Sequence, residues 1–226
     1  MATRTGRPER RQEPLSAQRI VSAAVELLDT VGESGLTFRA LAEHLATGPG
    51  AIYWHVTGKT ELLAAATDAV VATTVTGDDT DATPQDAIRA LALGVFDAID
   101  AHPWVGAQLA RTSWQPPMLR VFERVGRQVQ ALQVPRAAQF TAVSALMSYI
   151  LGVAGQNAAN TRTLQPGADR TAFLDAAAAT WAELDPDDYA FTRTVAGQLR
   201  EHDDRAEFLA GVDLILSGIT GITARR

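Results

Sequence analysis

Apolar side chains recur at three- and four-residue intervals along the chain, and that period predicts helices. After Pro14, Ser16 is a good N-cap for a helix whose stripe is Ile20, Ala24, Leu27, Leu28 and Val31 and which closes at Gly32 and Gly35. Thr37 caps a second helix with Phe38, Leu41, Ala42 and Leu45 on its apolar face and Arg39 and Glu43 outside. A turn of Ala46, Thr47 and Gly48 follows. Pro49 then opens a very short helix at the one position where a missing amide hydrogen is not needed. Thr57 and Gly58 introduce a longer helix, with Leu62, Leu63, Ala66, Ala69 and Val70 repeating to about Thr76, and the acidic residues 77–81 read as a loop.

The remainder is helical throughout. Thr83 and Pro84 begin a helix carrying Ile88, Leu91, Ala92, Val95 and Ile99, which stops at His102 and Pro103. A short helix over 104–110 is followed by one opened by Pro116 and Pro117, with Val121, Val125, Val129 and Leu132 in period. Pro135 starts the most apolar segment, running toward Asn157. A polar stretch through Pro166 and Gly167 precedes helices over 171–184 and 189–199 and a last one from about Asp204 to the chain end. Segments 136–156 and 205–220 are apolar around much of their circumference, and Gly152, Gly155, Gly211 and Gly218 permit close helix contact. Two arrangements fit: helices buried centrally in one chain, or a four-helix bundle shared by two subunits.

The stretch 37–63, TFRALAEHLATGPGAIYWHVTGKTELL, reads as a helix-turn-helix. Ile52 and Val56, four apart, face inward and leave Tyr53, Trp54 and His55 near the surface. A helix tip of Pro49, Gly50 and Ala51 has almost no side-chain bulk, so its backbone can approach base edges in a major groove. Tyr53, His55 and Lys59, the only lysine in the chain, have groups that can donate to phosphates beside that groove. An ordinary helical hairpin with a half-buried aromatic anchor is the bland alternative.

Leu36, Thr37, Arg39, Leu41, Ala42, Leu45, Tyr53, Trp54, His55, Val56, Lys59, Leu62 and Leu63 fall in register with the DNA-binding domain of the TetR family of transcriptional repressors, which the chain resembles from about Leu15 to Val70. It departs in the turn, where Ala46 stands for the family's glycine and Thr47 for its buried valine; the glycine normally relieves a left-handed backbone position. The resemblance implies an all-α protein: a basic arm over 1–14, a three-helix helix-turn-helix domain over 15–62, and a connecting helix leading into a larger ligand-binding and dimerisation domain over 63–226. Thr37, Arg39, Pro49, Gly50, Ala51, Tyr53, Trp54, His55 and Lys59 are the DNA-binding candidates.

A homodimer through 136–156 and 205–220 would place two reading heads on successive major grooves of a palindromic operator. In tetracycline-repressor-like C-terminal domains the pocket-enclosing segments match Trp104, Gln108, Arg111, Thr112, Trp114, Met118, Phe122, Met147, Tyr149, Asn157 and Trp181 here, which are also ordinary space-filling positions. The residue expected to meet a drug-bound magnesium is Leu109, which cannot ligate it, so the resemblance implies a different organic effector. Arg111 and the aromatic residues hint that it is anionic. The expected function is a repressor released by a small molecule. The same fold also serves activators and DNA-binding proteins controlled by a protein partner.

Charge sharpens the picture. The chain has 226 residues and a formal net charge of −6, which by itself disfavours nucleic acid. Residues 1–59 nevertheless carry seven Lys/Arg against six Asp/Glu, and the acidic excess lies beyond them. Arg4, Arg7, Arg10 and Arg11 form the basic arm, either a solubilising tail or a strap along a phosphate backbone. No cysteine is present, which removes thiolate metal sites and agrees with a cytoplasmic home. No uninterrupted apolar run of about 18 residues predicts a membrane span, and no secretory signal is evident. The hydrolase, P-loop, dinucleotide and zincin motifs are missing, which argues against an enzyme and against a cofactor. Glu201, His202, Asp203 and Asp204 form either a metal cluster or, the reading favoured here, a solvated turn that caps the last helix.

Overall fold

In the computed structural model the described residues are 14–74, 82–111, 116–163 and 169–223, and among them there is no strand. Residues 1–13 of the basic arm and the loop over 77–81 lie outside the described residues. Eleven α-helices are found among the described residues: α1 Ala17–Gly35, α2 Phe38–His44, α3 Pro49–Tyr53, α4 Lys59–Thr74, α5 Pro84–Ala101, α6 Pro103–Arg111, α7 Pro116–Ala131, α8 Arg136–Thr163, α9 Arg170–Ala182, α10 Ala190–Val195 and α11 Asp204–Thr223. The expected caps form. Ser16, Thr37 and Thr83 accept from the backbone N–H groups of Arg19, Ala40 and Asp86, at 3.2, 3.1 and 3.2 Å.

Two compact units divide the chain, Met1–Ala66 and Thr67–Arg226. The boundary falls inside α4, four residues past the expected one, because Leu62, Leu63 and Ala66 are buried and the first turns of α4 belong to the first unit. In that unit Ile20, Ala24 and Leu28 of α1, Leu41 and Ala42 of α2, and Ile52 and Val56 supply buried apolar residues. Val31, expected on the α1 stripe, is 51% exposed. Gly32, at φ 70°, breaks the helical path just after it.

In the second unit α8 is the central helix, packed by α5, α6, α7 and α11. Leu146, Ile150 and Ala154 of α8, Val95 and Ile99 of α5, and Phe208, Val212 and Leu216 of α11 are buried. Positions 136–160 are long and apolar enough to cross a membrane by length and composition, which a search for an uninterrupted apolar run misses. The same composition serves a bundle core. Gln133, at φ 59°, turns the chain out of α7, and Pro135 precedes α8, which extends to Thr163 rather than ending near Asn157.

Central burial of α8 and α11 within one chain is incomplete. Phe140 is 66% and Leu214 76% exposed, so each helix buries one face and leaves apolar surface on another. A Cβ added at Gly152, Gly155 or Gly218 would meet nothing within 4 Å, whereas at Gly211 it would collide with the Tyr149 ring. The expected helix over 189–199 is instead α10 followed by a 3-10 segment, Ala196–Glu201. Gly197, a weak helix former, lies at that change.

Candidate functional site

The short helix α3 is held from below and bare above. Ile52 and Val56 anchor it in the first unit, and the Phe38 and Tyr53 rings stack at 4.5 Å and 11°, which fixes α3 against α2. The turn between them keeps the left-handed step although glycine is missing. Ala46 has φ 51°, with its N–H on the Glu43 carbonyl at 3.2 Å and the Thr47 N–H on the Ala42 carbonyl at 2.9 Å. Two helix-closing hydrogen bonds therefore hold an alanine in a strained conformation.

On the bare side Pro49 and Gly50 are exposed and Ala51 is partly so, and a Cβ at Gly50 would meet nothing within 4 Å. Trp54 is 90% exposed, and Tyr53 and His55 also reach solvent. So large an exposed indole has no packing reason within this unit. Arg39 lies on the same stretch and pairs with Glu43 at 3.0 Å, both well exposed. Such a pair contributes only a few tenths of a kcal/mol, so an anion or base edge can displace Glu43 readily. The Thr37 hydroxyl accepts the Ala40 N–H, which leaves its own hydrogen available to a phosphate.

Lys59 carries a feature that spacing did not reveal. Its ammonium donates to the Glu33 carbonyl at 2.6 Å and is partly buried. One of its three donors is thus used inside the unit, tying the start of α4 to the end of α1. Nearby, Glu61 accepts from both the backbone N–H and the hydroxyl of Thr57. The hydroxyl first and the N–H second hold the Glu61 carboxyl below its usual 4.5.

The effector candidates differ widely in exposure. Trp104, Gln108 and Met147 are buried, Met118, Phe122, Tyr149 and Asn157 are half-buried, and Arg111 and Trp181 are exposed. Thr112 and Trp114 lie outside the described residues. Leu109 is buried in the core and offers no ligand. Phe122 lines a cavity of about 240 Å³ with Phe140 and Val143 on α7 and α8.

Tyr149 and Asn157 line another cavity, of about 290 Å³, bounded by α5, α8 and the residues around the start of α11. Its other walls, Phe96, Gln156, Asn160, His202, Asp204, Glu207 and Phe208, escaped the sequence reading as lining residues. The 201–204 cluster acts as a cap. Asp203 accepts the Ala206 N–H at 2.7 Å, and Asp204 pairs with Arg170 and with His202. Among the described residues no group of three or more His, Cys, Asp or Glu could hold a metal.

With this geometry, residues 20–66 match the family described as bacterial regulatory proteins, tetR family, and residues 76–222 match the tetracyclin repressor-like C-terminal domain. An HTH-type transcriptional regulator of Saccharopolyspora erythraea is 35% identical over 150 residues, 65% of this chain and 64% of that protein. The chain thus matches less than two thirds of that relative's length. The solved structure of the transcriptional regulator SCO7222, a TetR from Streptomyces coelicolor, is 63% identical with a TM-score of 0.85, covering 92% of this chain and 99% of that one. ActR from the same organism, in complex with actinorhodin, is similar in fold alone, at 21% identity and a TM-score of 0.74 over 93% and 99% of the two chains.

Proposed function

Because the chain belongs to the tetR family of bacterial regulatory proteins, we propose that it is a repressor that grips a palindromic operator as a homodimer and lets go when a small organic effector binds the second unit. The carrying observation is the exposed cluster of Tyr53, Trp54 and His55 on a helix whose tip is nearly free of side chains. The tip enters the major groove, the hydroxyl and imidazole donate to flanking phosphates, and Arg39 reaches from α2. Trp54 packs its ring against sugar and backbone. Such a protein acts in the cytoplasm, where bacterial DNA lies.

Pairing of two chains is supported by the exposed apolar residues of α8 and α11 and the open space over Gly152, Gly155 and Gly218. A single head with so short a helix has few base contacts; two heads one helical turn apart multiply them. Repression is favoured by the tetracyclin repressor-like match of the C-terminal domain. Helix α4 belongs to both units and is the element through which effector binding reaches the head. A coupling of about 1 to 3 kcal/mol weakens operator affinity from about five- to a hundredfold.

Selection of bound duplexes from a random pool, followed by footprinting on the promoter, tests this. The expected result is a two-fold symmetric site with half-sites one helical turn apart, overlapping the promoter. Failure to retain any duplex at low salt overturns the reading, and a footprint upstream of an unobstructed promoter makes the protein an activator.

A further inference from the structure

The cavity of about 290 Å³ in the second unit joins an aromatic wall to a carboxylate that makes no ion pair among the described residues. Phe96 of α5 lies 4.7 Å from Phe208 of α11, and Phe208 stacks on Tyr149 of α8 at 5.8 Å and 15°. The Tyr149 hydroxyl donates to the Phe208 carbonyl at 3.2 Å, which locks the ring in place. Burial first, and the Glu207 carboxylate second, push its pKa above 10.0, so the phenol stays neutral.

The polar wall sorts into groups with and without partners. Asp204 is held by Arg170 and His202, and the Asn157 amide donates to Asp100 at 3.1 Å. Glu207 makes no ion pair with any described residue, although it lies close enough to act on the Tyr149 phenol. Arg111, which hinted at an anionic effector, is not among the cavity's lining residues. A ligand entering here therefore meets the half-buried Tyr149 ring, backed by the buried Phe208 and Phe96, on one side and, among the described residues, an unpaired carboxylate on the other.

We infer that this cavity is the effector site and that it takes a small organic cation, an amine or quaternary ammonium on an apolar body, with the charge between Glu207 and the Tyr149 ring. The inference rests on the ligand-responsive reading above. The half-buried Tyr149 ring attracts a cation through its quadrupole, and the carboxylate adds a charge-assisted contact. An anion finds the Glu207 carboxylate against it. At about 290 Å³ the cavity suits a ligand of one or two rings, at the small end of ligand sites.

Calorimetry on the full chain with three probes of similar size tests the inference: benzyltrimethylammonium, its neutral isostere neopentylbenzene, and the anion phenylacetate. The cation is expected to bind about tenfold or more tightly than the isostere, and phenylacetate not at all. Glu207→Gln should remove that advantage while leaving the affinity for neopentylbenzene and the thermal melt unchanged, because Glu207 is exposed. Glu183→Gln, at an exposed position outside the cavity, should change nothing. Equal binding of cation and isostere, no binding of the cation, or an inert Glu207→Gln overturns the inference. The parent reading is tested separately on the selected operator duplex. Duplex binding without cation binding sinks only this inference, and cation binding that never releases the duplex sinks only the ligand-responsive reading.

Discussion

The Lys59 ammonium donates to the Glu33 carbonyl at 2.6 Å across 26 residues of sequence, so the chain's single lysine straps the start of α4 to the end of α1. A partly buried hydrogen bond from a charged donor contributes about 1 to 2 kcal/mol after discount for its solvent exposure. Lys59→Met keeps most of the stem and loses the donor, so it should lower unfolding free energy by about that amount in urea melts. The two remaining donors can still meet a phosphate, and the slope of log affinity against log salt should fall by about one. A stability loss with an unchanged slope would make Lys59 a purely internal strap.

Tyr53 and Trp54 adjoin in sequence but differ in what holds them. Tyr53→Ala removes a ring stacked on Phe38 and should cost about 1 kcal/mol of stability. Tyr53→Phe keeps the stack and loses only the hydroxyl, so stability should hold while operator affinity falls about tenfold or more, the equivalent of one hydrogen bond to a charged phosphate. Trp54→Ala, at a side chain 90% exposed, should leave stability within about 0.5 kcal/mol and weaken operator binding. Gel retardation beside thermal melts separates these outcomes. A Trp54→Ala protein that binds the operator like the parent would take the indole out of the interface.

What could be read from the chain was local. Ser16, Thr37 and Thr83 announce their helices because the cap and the amide it accepts lie three residues apart, and the same short range made Ala46 recognisable as a strained position. Lys59 and Glu33 are joined only after two helices pack, and the Phe96, Tyr149 and Phe208 wall draws on three helices whose relative rotation no single period encodes. Gly211 and Gly218 look alike in sequence, yet one sits beneath the Tyr149 ring and the other opens to space.

Ala46→Gly should stabilise the head. The residue sits at φ 51°, where an L side chain costs about 1 to 2 kcal/mol and glycine costs nothing sterically. Glycine's greater freedom in the unfolded chain offsets part of the gain, leaving about 0.5 to 1 kcal/mol. Chemical denaturation of both proteins measures it. A less stable Ala46→Gly protein would mean that the methyl group makes contacts worth more than the strain.

Leu214 and Gly211 separate assembly from folding. Leu214→Glu places a charge on an exposed apolar face of α11 and should leave the helical content unchanged while raising the dimer dissociation constant by about thirtyfold or more, read by sedimentation. Gly211→Ala forces a methyl into the Tyr149 ring and should cost about 1 to 3 kcal/mol of stability. A Leu214→Glu protein that sediments as the parent does would move the interface off this face.

Glu61 ties the opening of α4 to pH. Its folded pKa is lowered from 4.5, mainly by the Thr57 hydroxyl and then by the Thr57 N–H, so the folded state favours the carboxylate. The stability this contributes is complete above the unfolded value near 4.5 and is lost as pH falls through the lower folded value. The negative charge also favours the helix N-terminus it occupies. Thr57→Ala removes the largest cause, so the Glu61 carboxyl should titrate closer to 4.5 in an NMR titration of the variant than in the parent. Glu61→Gln should be less stable than the parent at neutral pH, and the gap should close as pH falls from 4.5 through the lower folded value, where the parent's carboxylate becomes protonated as well. A gap that stays constant across that range would assign the loss to packing and not to charge.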